Sequence, residues 1–479
     1  MDIIPVLKTF ITEVFTAAAN FMETPTGMAE LEQRLTCAGR NANARILAQI
    51  LEEYDSLLRE LPTVKEQYIV SRRRDRTLVT TFGDVTFKRT QFLDRQTHSR
   101  CCLLDEKVHL PKCEHLSALA EVEVLKEATK SSYQRAADRL KVGDQTISKV
   151  TVMNKVHAVL EELPMEQRDV KKACEYLYIE ADEDHVARQR PSALDRGCII
   201  AKLVYVYEGK EDVCKGRRRL VCPVYMGGRY AGPKQNTRLW ERVEEYLQKN
   251  YDTDVLKAVY ILGDGGGWIK AGTDHISKSI FVIDKFHLSK YINAAANQML
   301  DDAAYVKGRF YKYIYKGKKH KARKLLKRMR RSVANPKSID ELESFLMNNW
   351  EAAQRAYRDR HVYGCSAEGH VSHLYSDRMS SRPMGWSNTG ADRMCRLRCL
   401  VQTQGESKII DLVEARRERM LDQRFATGTD GIKIDIPAVI RKFSQSQREA
   451  AARAERMHAG FTSALIRKKL AIKLHIRDL

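Results

Sequence analysis

The sequence predicts an α/β protein: a mixed five-stranded sheet with a helical insertion, preceded by a mainly α region that carries a small β-hairpin and a helix-turn-helix. Three observations predict it. From Lys171 onward, β-type runs alternate with amphipathic helical stretches. The N-terminal stretch repeats its apolar residues at helical spacing. Between Asn293 and Arg360 the chain is basic, helical in pattern and nearly free of turn residues apart from Pro336.

The elements come in order along the chain. Ile3, Leu7, Phe10, Ile11, Val14 and Phe15 form one helical stripe, and Ile46, Leu47, Ile50 and Leu51 another. These define an N-terminal helical region, 1–75. TLVTTFGDVTFKRTQF, Thr77–Phe92, alternates around Gly83-Asp84 and predicts a hairpin turning there. Helical pattern resumes from Leu116 to Leu160. Within it Tyr133 to Leu140 predicts a first helix with the small residues Ala136 and Ala137, Val142-Gly143-Asp144 a turn, and Gln145 to Val156 a second helix. That is the pattern of a helix-turn-helix, whose second helix would present Gln145, Thr146, Ser148 and Lys149 to the major groove of DNA. Hairpin and helix-turn-helix make a second region, 76–168.

The catalytic core begins at 169 and runs to 292. Cys174–Ala181, Cys198–Tyr207 and Arg219–Met226 read as three strands, with a loop opening at Glu208-Gly209-Lys210 between the last two. Asn236–Gln248 is an amphipathic helix, Val259–Leu262 a strand ending at Gly263-Asp264-Gly265, Ser279–Ile283 a strand, and a helix starts at His287. Three meandering strands followed by alternating helices and strands make an α/β sheet with an antiparallel edge, the order used by the ribonuclease H-like fold. The basic insertion covers 293–360, the core returns at 361–400 as a glutamate-bearing helix, and 401–479 is a basic helical C-terminal region.

Composition narrows the function. Of 479 residues, 43% are hydrophobic, enough for real cores, which excludes global disorder. The net charge of +21 concentrates polyanions, nucleic acid above all. GKKHKARKLLKRMRR, Gly317–Arg331, carries ten cationic side chains if His320 is counted, a density suited to phosphates. No apolar run approaches the roughly 20 residues that span a bilayer, and no signal peptide is legible, so a cytoplasmic, nucleoid-associated protein is expected. Eleven cysteines, an odd number, argue against a closed disulfide framework. His98, Cys101, Cys102, His109, Cys113 and His115 cluster without a standard zinc spacing. Cys395 and Cys399 read as packing residues on a helix.

The acids carry the chemistry. Two-metal phosphodiester cleavage needs carboxylates converging from separate segments on cations about 4 Å apart. Asp182 ends the first strand, beside Glu180 and Asp184, and Asp264 ends the fourth between glycines. Strand alternation places Tyr176, Tyr178, Glu180 and Asp182 on one face, and Asp184 is expected past the strand end, which favours Asp182 over Asp184 for the first position. Asp284 is an alternative second acid, or caps the following helix, with His287 reaching the scissile phosphate or a neighbouring acid. CSAEGHVSHLYSDRMSSRPMGW supplies Glu368, with Asp377 as a more distant rival, and His370, His373, Arg378 and Arg382 as flanking groups. Of these, His287, His373, Arg378 and Arg382 are candidate phosphate contacts. Trp268 and Trp386 could stack on unpaired bases or fill the core.

IEADEDHVA, ILGDGGGWIK, FVIDKFHLSKYI and CSAEGHVSHLYSDRMSSRPMGWSNTGADRM, in this order, resemble the insertion-sequence transposases of the ISLre-two type. That family is also catalogued as uncharacterised bacterial proteins and is related to the Mutator-like and other DDE transposases. The likeness extends over nearly the whole chain, through FGDVTFKRT and LPKCEHLS. The resemblance implies a ribonuclease H-like catalytic domain with an Asp, Asp, Glu triad, a helical insertion before the Glu, and two Mg2+ (or Mn2+) ions. The carry-over falls on Asp182, Asp264 and Glu368 as catalytic and metal-binding residues. It implies cleavage and strand transfer at terminal inverted repeats, with target DNA as second partner and a homo-oligomer on DNA. Two alternatives belong beside it: a domesticated DNA-binding protein that keeps the fold without catalysis, and a ribonuclease H-like nuclease.

Overall fold

The computed structural model describes residues 4–24, 27–140, 146–160, 165, 167–189, 197–214 and 217–425. Two compact units divide the chain. One combines residues up to Val152 with those from Ile409 onward, and the other is Met153–Lys408.

The first unit opens with two helices, α1 (Ile4–Glu23) and α2 (Met28–Glu60), followed by a three-stranded antiparallel sheet, β1 (Tyr68–Thr80), β2 (Gly83–Asp94) and β3 (Arg100–Cys101). Val85, Phe87 and Phe92 of β2 are buried with Leu58, and Leu47 and Leu51 of α2 pack against them. Buried Asp55 of α2 accepts from the Thr90 N–H (2.9 Å) and hydroxyl (2.6 Å), tying helix to sheet. The hairpin turns at Thr81-Phe82 rather than Gly83-Asp84, because Thr80 pairs with Gly83 and the Thr80 hydroxyl donates to the Gly83 carbonyl. Three helices follow: α3 (Ala118–Lys130), α4 (Tyr133–Arg139) and α5 (Lys149–His157), the last crossing the boundary between the units. Gln145 lies outside the described residues. Thr146 and Ser148 precede α5 rather than opening it, and the Ser148 hydroxyl accepts from the Thr151 N–H at its start. The helix Ile409–Phe425 packs on α3, where buried Arg417 bonds buried Glu121 at 2.9 Å.

The second unit is built on a mixed five-stranded sheet. Its strands are β4 (Tyr176–Val186), β5 (Ile199–Tyr207), β8 (Val224–Gly228), β9 (Ala258–Gly263) and β10 (Ser279–Ile283). Their spatial order is β10-β9-β4-β5-β8; the first three are parallel, and β5 and β8 complete the sheet antiparallel. Two further strands, β6 (Gly209–Cys214) and β7 (Arg217–Val221), form a separate hairpin. The single strand expected over Arg219–Met226 therefore divides between two sheets, broken at Cys222, whose φ is 49°. The loop expected at Glu208–Lys210 is the start of β6. β4 continues through Val186, so Asp182 and Asp184 both lie inside the strand rather than at or beyond its end.

Helix α6 (Gly232–Asn250) has Pro at its first turn and buries Leu239, Trp240, Val243, Tyr246 and Leu247. α7 (Lys285–Ala296) is capped by Asp284, whose carboxylate accepts from the Phe286 N–H at 2.9 Å. The insertion is four helices: α8 (Ala303–Lys316), α9 (Lys319–Arg331), α10 (Lys337–Asn348) and α11 (Trp350–Arg358). Basic α9 keeps Ala322, Leu326 and Met329 buried. α12 (Ala367–Val371) runs through a wider π turn at Ser372–Ser376 into α13 (Asp377–Met379), and α14 (Asn388–Gln404) then packs on β8 with Cys395 and Cys399 buried. Among the described residues, no helix is long and apolar enough to cross a membrane.

Candidate active site

The register of three parallel strands builds the site. Leu262 of β9 pairs with Glu180 of β4, and Gly263 pairs with Ile283 of β10. β9 ends at Gly263 and β10 at Ile283, so Asp264 and Asp284 directly follow two adjacent parallel strands, and Asp264 is close enough for its charge to act on Asp182 of β4. The Asp284 N–H donates to the Gly263 carbonyl at 2.8 Å, which joins the two strand ends. Glycine is required beside Asp264. A Cβ on Gly263 would stand 2.9 Å from the Ala181 carbonyl, and Gly265 takes φ +94°, the left-handed region. The Gly266 N–H then donates to Asp264 Oδ1 at 2.8 Å.

Charge is concentrated here. Burial pushes the Asp182 carboxyl up to about 6, and the neighbouring Asp264 charge adds to the rise, while the Glu183 N–H bond and His287 oppose it. Burial also raises Asp284, whose carboxylate stands 4.0 Å from His287 Nε2; the charges of Glu180 and Glu368 add to that rise. Glu368, exposed on α12, therefore acts on the same end of the sheet as these aspartates. α12 itself packs on β4.

Asp184 has a different environment. Its Oδ2 accepts from the Ser376 (3.1 Å) and Ser380 (2.8 Å) hydroxyls, tying β4 to the π turn and α13. Glu180 is fully buried and saturated with donors. It accepts from Tyr207 (2.6 Å), Lys210 (2.9 Å), the Ser366 N–H (2.6 Å) and hydroxyl (3.0 Å), and Tyr205. Burial works to raise its pKa, but the Lys210 ammonium and the tyrosine hydroxyls outweigh burial and hold it below the usual range. Glu180 is thus an ionised strut rather than an open ligand.

This strut belongs to a longer seam. The Tyr260 hydroxyl donates to Asp359 (2.8 Å), the Tyr178 hydroxyl to the His361 carbonyl (2.9 Å), and the Lys210 ammonium to Gly364 and Ser366. Four side chains from β9, β4 and β6 thereby recapture the chain as it leaves the insertion and deliver it to α12. Sequence reasoning missed Lys210 and the tyrosine ladder. The recurrence of Tyr176, Tyr178, Tyr205, Tyr207 and Tyr225 on three strands was the available signal.

The flanking groups separate. His373 and Arg382 are exposed. Arg378 is buried, with its guanidinium 5.0 Å over the Trp386 ring and a hydrogen bond to the Met384 sulfur, so it packs the core instead of facing a phosphate. Trp386 is also buried and donates to the Met379 carbonyl. Trp268 is half-buried, with Lys202 4.8 Å over its ring. His370, expected from sequence as a flanking group, is half-buried and meets the Tyr225 hydroxyl at 3.0 Å.

Among the described residues, no three His, Cys, Asp or Glu side chains form a ready metal cluster, the run from His98 to His115 included. The donor chemistry of these aspartates nevertheless fits a hard divalent cation. Asp182 and Asp264 are neighbouring carboxylates whose charges act on one another, the first of them raised mainly by burial.

The chain is similar to known proteins over most of its length. The description "Uncharacterised protein family (UPF0236)" matches residues 22–416. A UPF0236 protein of Caldanaerobacter subterraneus subsp. tengcongensis is 30% identical over 405 residues, 84% of each chain. A second from the same organism is 31% identical over 395 residues, 82% of this chain and 80% of its own. Among solved structures, the Drosophila P element transposase strand transfer complex covers 64% of this chain and 85% of its own, at 11% identity. Its TM-score is 0.21, too low for the likeness to bear on fold or function.

Proposed function

The chain belongs to the uncharacterised protein family UPF0236, and from the site itself we propose that it is a DDE-type DNA transposase. The observation that carries this is the meeting of Asp182 on β4 with Asp264 and Asp284, which follow the ends of two neighbouring parallel strands, under the Glu368-bearing helix α12 packed on β4. Carboxylates brought together from separate chain segments are what two-metal phosphodiester chemistry requires.

Asp182 and Asp264 would hold both ions between them, and Glu368 would complete the ligand set of the second. When bound, Mg2+ or Mn2+ supplies Lewis-acid polarisation of the phosphate and eases deprotonation of the attacking hydroxyl. Asp284 is a supporting group: it caps α7 and holds His287 toward the carboxylates, where the imidazole takes up or returns a proton. Water first displaces the 3′-oxygen of a phosphodiester at the element end. The freed 3′-hydroxyl then attacks a target phosphodiester in line, one P–O bond forming as another breaks. The partners are double-stranded terminal repeats and target DNA, and joining two ends calls for a homo-oligomer on DNA. The basic insertion, exposed Arg382 and His373, and the segment around α4 and α5 would supply phosphate contacts.

The test uses supercoiled donor DNA with Mg2+. Wild-type protein should give nicked and joined products, and Asp264→Ala neither, with binding to element-end DNA retained. Cleavage that survives Asp264→Ala would remove the catalytic assignment, whereas cuts without joined products in wild type would favour a ribonuclease H-like nuclease.

A further inference from the structure

Helix α1 is an apolar helix in a highly charged protein. Over its 20 residues it carries one cation, Lys8, and two acids, Glu13 and Glu23, whereas 30% of the whole chain is charged. Together α1 and α2 hold five Lys or Arg and eight Asp or Glu. This helical hairpin is therefore weakly acidic in a chain of net charge +21.

α1 packs on α2 and, among the described residues, on no other element to a similar extent. Val6 and Ala17 are buried, and helical spacing adds Phe10 and Phe21 to their stripe. A second apolar stripe, Leu7, Ile11, Val14, Phe15, Ala18 and Met22, lies roughly 110° around the helix at 3.6 residues per turn. Of these, Phe15 is 49% exposed and Met22 59%. On α2, Met28 (66%) and Leu35 (39%) are exposed as well, although helical spacing puts them on the face that buries Ala38 and Ala42. A groove of about 250 Å³ runs between the end of α1 and the start of α2, with Ala17, Phe21 and Leu31 in its walls. It has room for a large apolar side chain.

A helix with two apolar stripes near a right angle to each other is built to meet two neighbours, as in a four-helix bundle. α2 is one neighbour. Charge selects the other. A face with a single cation gives neither DNA nor an anionic lipid surface a grip. Two copies of a chain at +21 repel each other except where the local charge is not positive, and this hairpin is such a place. An antiparallel pair of α1 helices centred near Phe15 also sets the Lys8 end of each against the Glu23 end of the other, with their dipoles opposed.

We propose that α1 and α2 are a homodimer interface, two hairpins closing an antiparallel four-helix bundle. The proposal rests on the transposase reading, which calls for a homo-oligomer, and it names where the copies meet. Its test needs no DNA, so the two can fail separately.

The experiment is sedimentation equilibrium of the full chain, freed of nucleic acid, in high salt with EDTA. Wild type should sediment as a dimer. The double variant Phe15→Lys, Met22→Lys changes two exposed positions, so its circular dichroism should match wild type while its dimer dissociation constant rises at least about a hundredfold. Phe15→Leu, Met22→Leu keeps the stripe apolar and should stay dimeric. Hydroxyl-radical footprinting of wild type should find Phe15 and Met22 shielded where the dimer forms and labelled on dilution. A monomeric wild type overturns the proposal, and so does a lysine variant that remains a dimer. Shielding that persists on dilution also overturns it, assigning the face to another segment of the same chain. A wild-type dimer that neither cuts nor joins donor DNA leaves the interface standing and counts against the transposase reading alone.

Discussion

The Ser366 backbone N–H donates to Glu180 Oε2 across 2.6 Å, and the Ser366 hydroxyl reaches the same oxygen across 3.0 Å. Ser366 precedes α12 directly and stands two residues before Glu368. A buried strand carboxylate thus fixes where the glutamate-bearing helix begins.

Glu180→Gln should therefore cost far more than a surface change. The amide cannot satisfy the same donors, and it leaves the Lys210 ammonium, only 7% exposed, without its charge partner. Breaking such a pair costs roughly 3–5 kcal/mol. Denaturant unfolding measures it, and a loss below about 1 kcal/mol would mean the strut is dispensable.

Asp182 sets a pH dependence. Its folded pKa of about 6 lies above the ordinary 3.8, so its carboxyl favours the folded state when protonated. Its contribution is fully present below the unfolded value and is lost as pH rises through about 6, a swing on the order of 2–3 kcal/mol. Thermal melts of metal-free wild type should show this fall relative to Asp182→Asn. If the two proteins track each other across that window, the aspartate is not buried as described. Divalent cation binding should weaken as pH falls through the same range, because protons compete for the carboxylate.

Asp184→Asn separates the two strand acids. An asparagine carbonyl can still accept from Ser376 and Ser380, so cleavage should drop only a few-fold, whereas Asp182→Asn should lose at least about a thousandfold, or 4 kcal/mol of barrier. The reverse ranking in a nicking assay would transfer the first metal position to Asp184.

Arg378 and Arg382 should part company. Arg378→Ala removes a buried guanidinium stacked on Trp386 and should destabilise by about 2–4 kcal/mol without moving the salt slope of DNA binding. Exposed Arg382→Gln should leave stability unchanged and lower that slope if it meets a phosphate. Equal salt slopes for Arg382→Gln and wild type would take Arg382 off the DNA.

The strand ends that carry Asp264 and Asp284 were legible because parallel strands buried on both faces are continuous apolar runs that stop abruptly at polar residues. Val259–Leu262 ends before Asp264 in this way, and Ser279–Ile283 before Asp284. The end of β4 was not legible, since Glu180, Asp182 and Asp184 alternate as an exposed strand would while lying under α12 and α13. The break at Cys222 depends on a left-handed residue that is not glycine, so no composition rule marks it. The turn at Thr81-Phe82 lacks the usual signal because Gly83 starts the return strand instead. Burial of Arg378 follows from Trp386, eight residues on, and pairing at that range depends on the tertiary path. That Glu368 lies on a helix packed on β4 was expected from its motif and from the resemblance, but no local pattern fixes a contact so far along the chain from Asp182.

The tyrosine and lysine seam has a consequence for how such a chain can diversify. Tyr260, Tyr178, Lys210 and Glu180 seize the polypeptide at Asp359, His361, Gly364 and Ser366, all downstream of α11. Glu368 takes its position from this fastening and not from the length of what comes before. The chain thereby re-enters the sheet at a fixed place whatever the length of α8 to α10, while α11 stays packed on β10.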